Sequence, residues 1–238
     1  MKSGEEYEIY PLGERAATVR FGAVIDPDIH NRVRAMMSVL REKPFPGLVE
    51  AAPAFTSVTV YYDPLRVASD AATPYDAVCL HLKETLLQAE LHPPKAPRTV
   101  EIPVCYDGGF GPDLAQVAEW NGLTKEEVIR IHSEPVYTIY MIGFAPGFPY
   151  LGGMSERIAA PRKSSPRMMV PAGSVGIAGK QTGIYPLNSP GGWQIIGRTP
   201  LELFRPGHIP PSLLQAGDLV RFCPIRKEEY EHLKERGE

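Results

Sequence analysis

The chain has 238 residues, 43% of them hydrophobic and 22% charged, with a formal net charge of −3 at pH 7, the profile of a globular protein of one large domain or two small ones. Its pI near 6.1 argues against a nucleic-acid binder, which carries a global basic excess. No run of about 18 apolar residues suggests a membrane span. Residues 1–6 lack the apolar stretch of a signal peptide. Cys79, Cys105 and Cys223 are odd in number and far apart, which argues against a disulfide framework or zinc ribbon. The expected compartment is the reducing cytoplasm.

In chain order, residues 7–10 and 16–21 predict two strands around a Pro-Leu-Gly turn. Asp26 followed by Pro27 predicts a helix start, with Asp at the N-cap and Pro at the first helical position. Ile29, Val33, Met36, Met37 and Leu40 then keep helical spacing up to the stop at residues 44–47. Residues 49–54 and 57–62 predict two more strands, the second alternating Val58, Val60 and Tyr62 with Ser57, Thr59 and Tyr61. Thr73-Pro74 opens a second helix with Val78, Leu82 and Leu86 on one face. The order ββαββα predicts a two-layer sandwich with both helices on one side of a sheet. The proline-rich stretch 92–97 predicts an extended linker, giving domains over 1–92 and 98–238.

The second domain is predicted to open with a strand over 99–106 and a short helix over 113–120. Thr124 and Glu127 form the signature of a capping box ahead of another helix. A strand follows over 136–142. The chain has 25 prolines and 22 glycines, and after residue 142 they break it into short strand-like pieces rich in Val, Ile, Tyr, Phe and Trp. That pattern predicts turns and bulges of a β-barrel or bent sandwich rather than disorder. A turn and final strand are expected over 215–222, then a charged helix over 227–236.

One segment departs from the overall acidity. Between residues 157 and 201 stand Arg157, Arg162, Lys163, Arg167, Lys180 and Arg198, with no Asp or Glu. Glycines let a backbone approach another object closely, so the run suits an anionic ligand or an acidic partner surface. Residues 174–181 approach a nucleotide loop, but Ser174 replaces its first glycine, Gln181 replaces its magnesium-binding hydroxyl, and Pro186 forbids the long helix that should follow. Lys180 is then either a point charge for a phosphate or carboxylate or a solvated loop lysine. Arg162 and Arg167 either fork onto an anion or sit on an exposed basic loop. Arg198 either joins them or satisfies loop carbonyls. Ser189, Gly191 and Gly192 suggest a nest of backbone N–H groups, with Trp193 closing a pocket or filling the core. Phe144, Phe148 and Tyr150 have the same two readings. Cys105 reads as a buried thiol. The histidines at 30, 81, 92, 132, 208 and 232 show no metal-ligand spacing and are expected at the surface or in caps. The run contains no general base, so the expected site is one wall of a larger one.

The strings Gly143-Phe-Ala-Pro-Gly-Phe-Pro-Tyr-Leu151, Pro161-Arg162, Pro166-Arg167, Val170-Pro-Ala-Gly-Ser-Val-Gly-Ile-Ala-Gly179, Gln181-Thr-Gly-Ile-Tyr-Pro186, Ser189-Pro-Gly-Gly-Trp193 and Gly197-Arg-Thr-Pro200 resemble the KipI family, also known as the B subunit of 5-oxoprolinase or allophanate hydrolase subunit 1. The resemblance implies an α+β chain, an N-terminal α/β domain followed by a cyclophilin-like β-barrel. It implies a component of an ATP-dependent 5-oxoprolinase that acts with two others, a cyclophilin-like, KipA-like C subunit and an A subunit, using ATP with magnesium. A related domain pair forms the carboxyltransferase part of urea carboxylase. The alternative it carries is inhibition of a sporulation histidine kinase. Neither reading involves nucleic acid or a membrane. The substrate- or anion-binding residues expected on this basis are Arg162, Arg167, Ser174, Lys180, Gln181, Thr182, Tyr185, Ser189, Gly191, Gly192, Trp193 and Arg198, with no metal ligands and the catalytic group unassigned.

Overall fold

The computed structural model describes residues 7–67, 71–91 and 96–237. Most of the expected linker, residues 92–95, and the N-terminal residues 1–6 lie outside them. The chain divides into two compact units, Met1–Ala96 and Pro97–Glu238.

In the first unit, strands β1 (Glu8–Pro11), β2 (Ala16–Arg20), β3 (Leu48–Pro53) and β4 (Ser57–Tyr62) form an antiparallel sheet in the order β1-β2-β4-β3. Helices α1 (Pro27–Glu42) and α2 (Pro74–Leu91) complete the ββαββα order. Asp26 caps α1 by accepting from the Asp28 and Ile29 N–H groups, and Pro27 occupies the first turn, where its missing donor costs nothing. The register sets Ala17 opposite Val60 and Val19 opposite Val58. Period-2 alternation sends these side chains to one face. There they pack with Val33, Met36 and Leu40 of α1 and Val78, Leu82 and Leu86 of α2 in one core. The two-layer sandwich is the one expected.

In the second unit, β5 (Thr99–Cys105), β6 (Val136–Ile142), β7 (Pro149–Gly152), β9 (Ser174–Ala178), β10 (Gln181–Ile184), β12 (Gln194–Arg198) and β13 (Leu219–Ile225) close a barrel in the order β10-β7-β6-β13-β5-β12-β9. The β5–β13 pair is parallel and joins the first and last strands of the unit. Alternate residues, among them Ile102, Val104, Tyr137, Ile139, Val220 and Phe222, fill the interior. A separate ribbon of β8 (Arg167–Val170) and β11 (Ser189–Gly191) stands outside the barrel sheet. Helices α3 (Leu114–Trp120) and α4 (Lys125–Ser133) pack on the barrel, and α5 (Lys227–Arg236) follows its last strand. Both halves of the Thr124–Glu127 capping box are present on α4.

Candidate functional site

The cations of the acid-free run do not converge on one point. Two of them meet a carboxylate from far upstream. Asp113 precedes α3, and its side chain makes no cap hydrogen bond to it. Its carboxylate is instead buried against the ribbon. Oδ1 accepts from Arg167 Nη2 at 2.7 Å and from Lys163 Nζ at 3.1 Å, and Oδ2 accepts from the Ile195 N–H at 2.7 Å. Burial alone pushes the Asp113 carboxyl up, but the hydrogen bonds from Arg167, Ile195 and Lys163 outweigh it and hold the group below the usual carboxylate range. Asp113 is therefore an anchor that stays ionised at neutral pH rather than a base.

Around this anchor, Gly191 lies opposite Arg167 in the β8–β11 ribbon, and the Lys163 N–H donates to the Gly192 carbonyl at 2.7 Å. Arg167 Nη1 also reaches the Trp193 carbonyl at 3.4 Å. Ser189–Gly191 is extended strand, and neither Gly191 nor Gly192 has positive φ. The nest expected there does not form. Gly191 is needed for a different reason, since a Cβ on it would lie 2.5 Å from the Tyr185 hydroxyl. Burial raises the Tyr185 phenol, while a hydrogen bond from the Trp193 backbone and the charges of Arg162 and Arg167 pull it back. Arg162, Arg167, Tyr185, Ser189, Gly191, Gly192 and Trp193 thus share one neighbourhood. Arg162 and Arg167 supply positive charge there, and Asp113 offsets part of it.

Aromatic rings back this face. Phe148 makes edge contacts with Tyr150, Tyr185 and Trp193, with centroids 5.1, 5.6 and 5.5 Å apart. Phe148 and Trp193 are buried core residues, the packing alternative for both. Phe144 behaves differently. Its φ is 68°, the Ala145 N–H donates to the Gly143 carbonyl at 2.8 Å, and its ring is 67% exposed beside Phe148. A γ-turn with positive φ at its centre is rare and strained, and a phenylalanine held there in solvent is a feature that packing does not require.

The other expected residues lie elsewhere. Gly179 and Lys180 form the two-residue turn of the β9–β10 hairpin, with Gly179 at φ 58°, the position that primed turns reserve for glycine. Lys180 Nζ pairs with Glu156 at 2.7 Å, both largely exposed. Gln181 begins β10 at the barrel surface, half-buried. Ser174 and Thr182 are buried in the barrel. Arg198 stands at the far end of β12 from Gln194 and donates through Nε to the Ala172 carbonyl at 2.8 Å, the loop-carbonyl role foreseen for it.

Two histidines overturn the expectation of surface or capping roles. His30 is buried in α1, and desolvation, then Arg34, lowers its pKa to about 4. His132 is fully buried at the end of α4, and desolvation lowers its pKa to about 3. Its Nε2 lies 2.9 Å from Thr182 Oγ1, and its Nδ1 lies 2.9 Å from the Tyr106 hydroxyl. Thr182 Oγ1 gives its one proton to the Gly176 carbonyl at 3.0 Å, so it accepts from His132 Nε2–H. Nδ1 is then bare and accepts from Tyr106. The ring is a neutral link in a closed chain of hydrogen bonds, a structural role for both His132 and Thr182.

Among the described residues, no group of three or more His, Cys, Asp and Glu could hold a metal ion. Burial is also the first cause raising the Cys105 thiol, which disfavours the nucleophilic thiolate. The face around Tyr185 can attract an anion, and Asp113, its buried carboxylate, is locked in ion pairs.

The chain belongs to the family described as carboxyltransferase domain, subdomain C and D, which matches residues 7–214. It is 52% identical to the 5-oxoprolinase B subunit of Bacillus subtilis (strain 168) over 97% of this chain and 98% of that one. It is 42% identical to the 5-oxoprolinase B subunit of Escherichia coli O157:H7 over 92% of this chain and 96% of that one. The crystal structure of TTHA0988 superposes with a TM-score of 0.78 at 39% identity, covering 89% of this chain and 40% of that longer one.

Proposed function

We propose that this protein is the B subunit of a 5-oxoprolinase, which hydrolyses 5-oxo-L-proline to L-glutamate with conversion of ATP to ADP and phosphate. The observation that carries the reading is the 52% identity to a 5-oxoprolinase B subunit across nearly the full length of both chains. The site chemistry supports it. Opening a lactam through a phosphorylated intermediate requires cations for the substrate carboxylate and transferred phosphoryl group, and a base to activate water. This chain offers Arg162 and Arg167 beside the Tyr185 phenol, while its nearby carboxylate, Asp113, is locked in ion pairs. The base then comes from a partner, either the cyclophilin-like, KipA-like C subunit or the A subunit.

In this reading Arg162 and Arg167, with Tyr185, Ser189, Gly191, Gly192 and Trp193, form this chain's wall of the shared site. Lys180, Gln181 and Arg198 lie off that wall, and Ser174 and Thr182 shape the barrel behind it. Phe144 is placed to meet one of the partners. Magnesium arrives with the ATP. The described residues do not fit a resident metal, and no step through one is assigned to this chain. The same reading sets the protein in the cytoplasm, where ATP is available. No helix among the described residues is long and apolar enough to cross a membrane. The kinase-inhibitor alternative has no comparable support, since both relatives described above carry the 5-oxoprolinase name.

The test is reconstitution with the two partner subunits and measurement of glutamate release from 5-oxoproline with ATP. Turnover that needs all three proteins, and that falls on Arg162→Ala, supports the reading. An assembled but inactive complex, with this chain inhibiting a histidine kinase's autophosphorylation, overturns it.

A further inference from the structure

Arg198 opens onto a second feature of the C-terminal unit, a cavity of about 480 Å3 between the end of β12, the loop that follows it and α5. Three cations line it: Arg198 from β12, Arg205 from the loop and Lys234 from α5. Glu202 is the one acid among its described lining residues. Elsewhere in the unit, several cations are neutralised. Lys163 and Arg167 pair with Asp113, Lys180 with Glu156, Arg98 with Asp218 and Arg130 with Glu134. Arg198, Arg205 and Lys234 make no ion pair among the described residues.

The cavity is also shaped. The Arg198 guanidinium is held by its Nε bond to the Ala172 carbonyl, which leaves its terminal amino groups for another acceptor. That carbonyl is fixed in turn by Gly173, at φ 82°, whose carbonyl accepts from the Thr199 N–H at 2.9 Å. A Cβ on Gly173 would run into the Thr199 carbonyl, so only glycine permits this floor. Tyr230 is 4% exposed, packs on Phe110, and lies close enough to Arg198 to feel its charge. Its hydroxyl has no hydrogen-bond partner among the described residues. Leu201, Phe204 and Pro186 supply an apolar wall.

We propose that this cavity binds a small organic phosphate through Arg198, Arg205 and Lys234, with the Tyr230 hydroxyl as a further donor. Among the described lining residues, three cations against one carboxylate leave two positive charges, which a phosphate or diphosphate dianion matches and a monocarboxylate does not. Guanidinium forks fit phosphate oxygens bidentately, and an ammonium adds a point charge. The carbonyl end of α5 carries about half a negative charge at most, too little to cancel this excess. The volume and apolar wall suit an organic body attached to the anion. The site does not depend on the 5-oxoprolinase reading, and the chain alone suffices to test it.

The experiment is calorimetric titration of the full chain with inorganic pyrophosphate and with ADP, both without metal. Lys234 is exposed and Arg205 half-buried, so the double variant Arg205→Ala, Lys234→Ala is expected to fold, as its thermal melt will verify. The wild type is expected to bind both probes at one site, and the double variant to bind at least about tenfold more weakly, given the strength of charge-assisted hydrogen bonds. A control that removes the same charge from α4, Lys125→Ala with Arg130→Ala, is expected to bind like the wild type. No binding to the wild type, undiminished binding to the cavity variant, or equal weakening in the control overturns the proposal.

Discussion

Asp113 and Ile195 are joined twice. The Asp113 N–H donates to the Ile195 carbonyl at 2.9 Å, and the Ile195 N–H donates back to Asp113 Oδ2 at 2.7 Å. With Oδ1 on Arg167 and Lys163, one carboxylate ties the start of α3 to β12 and to the basic ribbon. Its removal leaves the buried Ile195 N–H without that acceptor and two cations without their counterion. Asp113→Ala is expected to lose about 3–5 kcal/mol, read as a lower urea midpoint. Asp113→Asn keeps an acceptor and is expected to lose less.

Buried His132 makes an acid-sensitive joint. Its folded pKa of about 3 lies below the ordinary value of 6.5, so the unfolded chain binds the extra proton between those values. The contribution is full above about pH 6.5 and lost as pH falls toward 3. Its size is on the order of 5 kcal/mol. His30, lowered to about 4, acts in the same direction over the same range, and Asp113, also held below its ordinary value, adds to it at the acid end. Denaturation midpoints measured from pH 7 to pH 4 should therefore decline, and His132→Leu should flatten the decline while lowering stability at pH 7.

Thr182→Val tests what the hydrogen-bond chain contributes to stability. The isosteric methyl leaves His132 Nε2–H without an acceptor and the Gly176 carbonyl without this donor. The expected loss is about 1–3 kcal/mol, measured by chemical denaturation. The loss is expected whichever ring nitrogen carries the proton, so 15N shifts of the His132 ring report the tautomer directly, with Nε2 expected to be the protonated nitrogen.

Phe144 separates function from stability. Phe144→Gly relieves the positive-φ strain and removes an exposed ring, so the melting temperature is expected to hold or rise. If the ring meets another component of the enzyme, assembly of the three proteins weakens at the same time. Sedimentation of the mixture measures this. Gly191→Ala should do the reverse, costing about 1–3 kcal/mol by crowding Tyr185 and moving the Arg167 ribbon.

Features decided within a few residues were legible in the sequence. Asp26 with Pro27, and Thr124 with Glu127, announce their helices because a cap and its partners are neighbours in the chain. The alternation of Val58, Val60 and Tyr62 gave the buried face of β4 for the same reason. The Asp113 anchor was not legible, because its partners lie 50, 54 and 82 residues away. Asp113 stands where an N-cap belongs, and its local pattern gives no other sign. His132 was missed likewise, since its acceptor Thr182 is 50 residues distant. The Ser189–Gly192 segment was ambiguous because glycine serves both a nest and a close packing contact. Only the position of Tyr185 decides between them.

The parallel pairing of β5 with β13 bears on how the protein is made. Arg98 and Asp218, which lie beside that pair and bond to each other at 2.6 Å, are separated by 120 residues. A ribosome releasing the chain from its N-terminal end exposes β5 long before its partner exists. The sandwich of the first unit, whose strands all lie before residue 63, has its whole sheet available early. Translation at about 5–20 residues per second leaves the unclosed barrel edge open for several seconds. In that interval the apolar inner face of β5 is a natural client for a chaperone.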